Sequence, residues 1–335
     1  MKILFIGGTG LLSSACAELA VARGHDLYLI NRSILTKYTI PPGTRLFQAD
    51  VRGETNLIED FIADHTFDVV VDFIAFKPED IERDLKLFKD KTRQFIFISS
   101  ASAYQKPPRN YLITEDTPLA NPYWQYSRDK IACEERLNLA RREAGFPVTI
   151  VRPSLTYGPS QIPFIVGSWL QPWTNIERIK RGKKVIVPGD GTSLWVLTWN
   201  ADFAVGLVGL FGNSQSIGQT YNIISDEVLT WNAIITEAFA AFDIEPNIIH
   251  IPSDLITAYW PEAQGSLIGD KSNSVIFNND RIKAAVPDFA CKVNWAEGLR
   301  RSLAWFNAHP EHRTVDKDLD EVWDRIIAAY EKSFP

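Results

Sequence analysis

Lys2-Ile3-Leu4-Phe5-Ile6-Gly7-Gly8-Thr9-Gly10-Leu11-Leu12-Ser13 decides the reading of this chain. A short apolar run meets a glycine turn, and the turn leads into a helical pattern with Leu12, Cys16, Leu19 and Ala20 on one face, ended by Arg23-Gly24. Asp26-Leu27-Tyr28-Leu29-Ile30-Asn31-Arg32 follows as a second strand. Strand, glycine turn, helix and strand form a βαβ unit with parallel strands. The turn delivers a helix N-terminus, with unpaired N–H groups and the positive dipole end, to a pyrophosphate. Gly7 permits the tight turn, and Gly10 lets the backbone approach phosphates with no Cβ in the way. Thr9, Leu11 and Leu12 complete the candidate dinucleotide contacts of this turn. Ser13 stands where the usual spacing has a third glycine, so the helix is expected slightly further from the strand.

Outward from this unit the alternation continues. Strands are expected at 46–50, 68–75, 94–98 and 148–152, and helices at 55–64, 78–89 and 123–144, the last closed by Gly145. The 68–75 run is almost wholly apolar, as in a strand covered on both faces. This pattern specifies an α/β fold: a Rossmann-type doubly wound parallel sheet of order 3-2-1-4-5-6, with a smaller C-terminal substrate-binding lobe. Residues 1–160 make the dinucleotide-binding domain, rejoined by about 198–225, and 161–335 are mainly the second lobe. There, helices are expected at 165–181, 201–211, 229–242, 295–307 and 319–334, and strands at 184–187, 194–198 and 220–224. Leu319, Val322, Trp323, Ile326, Ile327 and Tyr330 form an apolar stripe on the last helix. Trp169, Trp173, Trp195 and Trp199 flank the expected cleft, where they either fill the core or stack on a flat substrate.

The 335 residues can bury a large core, and 45% hydrophobic with 23% charged residues is an ordinary globular balance. A net charge of -6 gives no encouragement to nucleic-acid binding. Cys16, Cys133 and Cys291 are far apart and odd in number, which reads as reduced thiols. No segment approaches the length of a membrane span, and the apolar opening breaks at Gly7, too early for a signal-peptide core. A cytoplasmic protein with no membrane partner is expected. The histidines lack ligand spacing, and no metal site is expected.

Tyr126-Ser127-Arg128-Asp129-Lys130 sets a phenol and an ammonium on one helix face, one turn apart. A phenol with its ordinary pKa of about 10 is a poor base at neutral pH. A neighbouring ammonium favours the phenolate, so the pair suits proton transfer to or from an alcohol or carbonyl oxygen. Ser100, at the end of the fifth strand, can hydrogen-bond the same oxygen. Taken alone, a Tyr-x-x-x-Lys pair is common on surfaces. Its weight here comes from following the glycine turn and the serine in order, with the right elements between.

Gly7-Gly8-Thr9-Gly10, Asp50-Val51, Ala75, Ser99-Ser100-Ala101-Ser102-Ala103-Tyr104, Tyr126 to Lys130, Arg152-Pro153-Ser154-Leu155-Thr156-Tyr157-Gly158-Pro159 and Thr220-Tyr221-Asn222-Ile223 together are similar to the short-chain dehydrogenase/reductase superfamily. They resemble its extended or atypical branch, the NAD(P)-dependent epimerase/dehydratase family. The resemblance implies Tyr126 as acid/base, Lys130 as its activator and ribose ligand, and Ser100 as the group orienting the carbonyl. It implies Asp50 and Val51 at the adenine, Ala75 along the cofactor channel, and Pro153 with its neighbours beside the nicotinamide. It also implies a homodimer through the helices at 78–89 and 123–144. Dehydratases of the family carry Asp-Glu where this chain has Ala101-Ser102, which argues against a 4,6-dehydratase. NAD-preferring members end the second strand with an acid, and here Asn31 is followed by Arg32 and Ser33. Either Arg32 and Ser33 hold a 2′-phosphate, or Arg32 is a solvated loop charge; the expectation is NADP(H), with NAD(H) the other possibility.

Three functions remain in view. The first is an NADP(H)-linked oxidoreductase acting on a carbonyl or secondary alcohol. The second is a nucleotide-sugar 4-epimerase with tightly bound NAD. The third is a non-enzymatic RNA-binding protein, since 73–104 and the C-terminal half are also similar to chloroplast stem-loop-binding relatives. The acidic net charge disfavours that third reading.

Overall fold

A computed structural model describes residues 1–32, 37–53 and 55–333. Seven parallel strands form the central sheet: β1 (Lys2–Ile6), β2 (Asp26–Asn31), β3 (Arg45–Gln48), β4 (Val69–Asp72), β5 (Phe95–Ile98), β6 (Val148–Arg152) and β7 (Thr220–Asn222). Their order is β3-β2-β1-β4-β5-β6-β7, so the expected order holds and the expected seventh strand closes the far edge. Ile3 and Phe5 of β1 face a core shared with α1 (Leu11–Ala22) and α5 (Asn200–Gly209). Leu4 and Ile6 face the opposite core, shared with α2 (Thr55–Ala63), α3 (Pro78–Phe88) and α4 (Gln125–Ala144). The strict alternation of strand side chains thus supplies both faces of a doubly covered sheet.

A third core belongs to the second lobe, built around Trp195, Trp231, Ile234, Leu299 and Trp323. Its helices include α6 (Trp231–Ala240), α7 (Trp295–Ala308) and α8 (Lys317–Ser333). Thr230 caps α6 by accepting from Ala233 N, and Asn294 caps α7 by accepting from Glu297 N. The stripe on α8 packs inward as expected, with Trp323, Ile326 and Ile327 buried.

Several expectations give way here. The 165–181 helix is confined to Thr174–Lys180, because Pro163, Gly167 and Pro172 interrupt the preceding stretch. The 194–198 strand splits into Leu194–Trp195, antiparallel to Leu229–Thr230, and Leu197–Trp199, parallel to Leu155–Tyr157. The 68–75 strand ends at Asp72, whose carboxylate takes the N–H groups of Ile74 and Ala75 and turns the chain out of the sheet. The strand Ile248–Ile251, paired with Val185–Pro188, and the helix Ser253–Tyr259 are additions.

Behind the strand ends lies a buried ion pair. Arg152 Nε donates to Glu134 Oε1 at 2.9 Å, Arg152 Nη2 donates to Glu134 Oε2, and Ser99 Oγ also donates to that carboxylate. The side chains of Arg152 and Glu134 are 6% and 1% exposed. Removing one partner leaves the other charged and desolvated. Arg152→Met is therefore expected to lower unfolding free energy by roughly 3–5 kcal/mol in urea titrations, and a loss below about 1 kcal/mol would show that the pair is not needed.

Candidate active site

The glycine turn closes as its composition requires. Gly7 has φ +84°, and its N–H donates to Ile30 O at 3.0 Å. A Cβ on Gly8 would lie 2.4 Å from Leu29 Cδ2, whereas one on Gly10 would meet only Ser13 Oγ at 3.4 Å. Open space is thus kept at Gly10, while Gly8 serves packing. Ser13 is buried, and its Oγ accepts the Gly10 N–H at 2.8 Å. The residue that replaces the third glycine therefore caps the helix start.

One cavity of about 770 Å³ joins this turn to the ends of β4, β5 and β6. Gly7, Gly10, Leu11, Leu12, Ser100, Tyr126, Lys130 and Pro153 all line it, so the nucleotide turn and the expected chemical residues meet in a single space. Thr9, Asn31, Arg32, Asp50, Val51 and Ala75 are not among its walls. Thr9 Oγ1 accepts from Asn31 Nδ2, which ties the turn to the end of β2. Val51 is buried, and Ser33 lies outside the described residues. Arg32 Nη1 is 3.7 Å from Asp50 Oδ2, and both side chains are substantially exposed. The guanidinium expected to meet a 2′-phosphate has a carboxylate beside it, which gives no support to the NADP(H) preference.

Lys130 is 1% exposed. Its Nζ donates to Ala75 O and to Ile98 O, both at 2.7 Å, which commits two of its three N–H bonds. It also lies over the rings of Phe76, Phe97 and Tyr126, at 4.7, 4.8 and 5.8 Å from their centroids. Burial pulls its pKa down to about 8. The Tyr126 phenol is pushed up to about 12, first by burial and also by the Asp270 carboxylate, against a hydrogen bond from Ser100 that favours the phenolate. The expected lowering of the phenol by Lys130 does not appear; burial raises it instead. Ser100 continues a chain of hydroxyls: its Oγ is 2.9 Å from Ser102 Oγ, which accepts from Ser127 Oγ at 2.8 Å.

Residues invisible to sequence reasoning support this arrangement. Asp72 holds the 74–75 turn, and Arg83 Nη2 donates to Asp72 Oδ2 at 2.9 Å. Burial and the adjacent Asp72 carboxylate raise the Asp84 pKa well above the usual range. A carboxylate ending an apolar strand was the available signal. Asp270 and Lys271, also on the cavity wall, come from a short π-helical turn, Leu267–Lys271, that no pattern announces. Of the four tryptophans, only Trp169 lines the cavity, 59% exposed; Trp173, Trp195 and Trp199 are core residues.

A Rossmann sheet whose glycine turn shares one cleft with Ser100, Tyr126 and Lys130 is an architecture of the short-chain dehydrogenase/reductase type. The profile of the NAD dependent epimerase/dehydratase family matches residues 3–223, and the chain belongs to that family. It is 28% identical over 170 residues to a UDP-glucose 4-epimerase of Lactobacillus helveticus, covering 45% of this chain and 51% of that one. It is 24% identical over 261 residues to the chloroplast stem-loop binding protein of 41 kDa b of Arabidopsis thaliana, covering 74% and 65%. The chain thus spans about half to two thirds of the length of these curated relatives. Its fold matches that of a Bacillus cereus UDP-glucuronic acid 4-epimerase solved with UDP-glucuronic acid and NAD, at TM-score 0.73 and 18% identity, covering 92% of this chain and 100% of that one. None of the helices among the described residues is long and apolar enough to cross a membrane.

The open space at Gly10 separates folding from binding. Gly10→Ala is expected to change stability by less than about 0.5 kcal/mol while weakening dinucleotide binding at least about tenfold. Equal calorimetric affinities of the variant and the parent would place the phosphates elsewhere.

Proposed function

We propose that the chain is an epimerase that retains NAD and acts on a secondary alcohol of a nucleotide sugar. The reading rests on one observation: Tyr126, with Lys130 Nζ 5.8 Å from its ring centroid, shares a cavity with Ser100 and the glycine turn. NAD supplies the hydride acceptor and donor when bound. Tyr126, as the phenolate left when its own proton is lost to solvent, would take the proton of the substrate hydroxyl and later return it to the same oxygen. Ser100 would orient that oxygen, and the remaining N–H of Lys130 would hold the nicotinamide ribose.

Two features favour retention of NAD over exchange of NADP(H). Arg32 is paired with Asp50. Lys37 and Tyr38 are also tied to Ser160: Lys37 Nζ donates to Ser160 O at 3.1 Å, and Tyr38 Oη pairs with Ser160 Oγ. Gly158, two residues before Ser160, packs on Asn200, whose Nδ2 donates to Leu11 O at 2.9 Å in the phosphate turn. These contacts at Ser160, close to residues that bond the glycine turn, would slow loss of a bound dinucleotide. The second reading, an NADP(H)-linked carbonyl reductase, keeps one observation in its favour: β2 ends in Asn31 where an acid would repel a 2′-phosphate. We further propose a homodimer through α3 and α4, already joined by Arg136 and Glu82; light scattering is expected to report twice the chain mass, and a single chain mass would refute the pairing.

Denaturing the purified protein and identifying the released nucleotide separates the readings. NAD near one equivalent per chain is expected, and NADP or an empty protein that consumes added NADPH supports the reductase. Tyr126→Phe is expected to keep the nucleotide while losing at least about 100-fold in turnover; unchanged turnover would remove Tyr126 from the chemistry.

A further inference from the structure

We propose that Asp270 is a substrate-binding residue: its carboxylate accepts a hydrogen bond from the hydroxyl next to the carbon that Tyr126 serves. The inference rests on the nucleotide-sugar reading above and deepens it, since it selects a substrate hydroxylated beside the reacting carbon.

Asp270 reaches the cleft from the second lobe, opposite the Rossmann sheet, and lines the same cavity as Tyr126, Ser100 and Ser102. Its side chain is held at both oxygens. Lys106 Nζ is 3.3 Å from Oδ1, and Lys271 Nζ is 3.2 Å from Oδ2. Lys106 is 4% exposed and also donates to Asp270 O at 3.2 Å, so one buried ammonium grips both the backbone and the carboxylate of this residue. Lys271 lies between the rings of Trp124 and Trp195, 5.8 and 5.9 Å from their centroids.

Burying a carboxylate with two ammonium groups gains no stability over well-packed apolar side chains of similar volume. The surrounding lobe core is apolar, so folding alone gives no reason for this triad. A carboxylate has about four lone-pair sites, and one ammonium on each oxygen leaves acceptor capacity on both. Trp124 and Trp169 line the same cavity, and an apolar wall with one fixed acceptor is the surface expected for a sugar ring. Trp124 links the two groups along the cavity wall: its ring centroid lies 5.0 Å from that of Tyr126 and 5.8 Å from Lys271 Nζ, which holds Asp270, so a sugar whose reacting carbon meets Tyr126 offers an adjacent hydroxyl to Asp270.

A site built around a hydroxyl rejects the analogue that lacks it, because its own polar group is then left unpaired. The test compares binding of UDP-glucose with its analogue deoxygenated beside the epimerised carbon, to the NAD-loaded protein by calorimetry. The wild type is expected to favour UDP-glucose at least about tenfold, and Asp270→Leu to abolish that preference. The double variant Asp270→Leu with Lys106→Met removes the stranded ammonium, guards against misfolding, and is expected to show the same loss. If both sugars bind but the preference is absent in the wild type or survives in the double variant, the assignment of Asp270 is overturned while the nucleotide-sugar reading stands. If neither ligand binds the wild type, the nucleotide-sugar reading itself fails, and this inference with it.

Discussion

A buried ammonium caught between two carbonyls sets the geometry of this protein's site. Lys130 Nζ bonds to Ala75 O beyond β4 and Ile98 O at the end of β5, so a helix of the outer layer is pinned to the sheet where the cofactor cleft opens. Tyr126 rides on the same helix, one turn earlier, and inherits that position. Desolvation makes the arrangement costly for the ammonium, as its lowered pKa of about 8 records, and the two carbonyls offset part of that cost.

The carbonyl of Ala75 is itself held. Asp72 receives Ile74 N–H and Ala75 N–H, and Arg83 secures Asp72 from α3. Four elements, β4, β5, α3 and α4, therefore converge on one lysine. Burial, together with the Asp270 carboxylate, pushes the Tyr126 phenol up to about 12. Developing negative charge on that oxygen depends on what occupies the cleft.

The sheet was legible because its strands are apolar, short and punctuated by turn residues at regular intervals, from Gly7 through Gly145. Ser100, Tyr126 and Lys130 were legible because the helical period and the strand end place them together. The second lobe was not. Its strands are two to four residues long, and segments such as Leu194–Trp199 serve two small sheets at once, so no periodicity survives. Asp270 belongs to a turn whose neighbours in space, Lys106 and Tyr126, lie more than a hundred residues away in the chain. Arg32 shows a related limit: its charge was visible, whereas its approach to Asp50 depends on the β2–β3 pairing.

The account turns on a site assembled before ligand binding, and a crystal structure of the NAD complex tests it most directly. The account predicts that Lys130 keeps its bonds to Ala75 O and Ile98 O, adds one to the nicotinamide ribose, and leaves Tyr126 Oη facing the reactive edge of the ring. An ammonium withdrawn from those carbonyls, or a nicotinamide lying away from Tyr126, would contradict it.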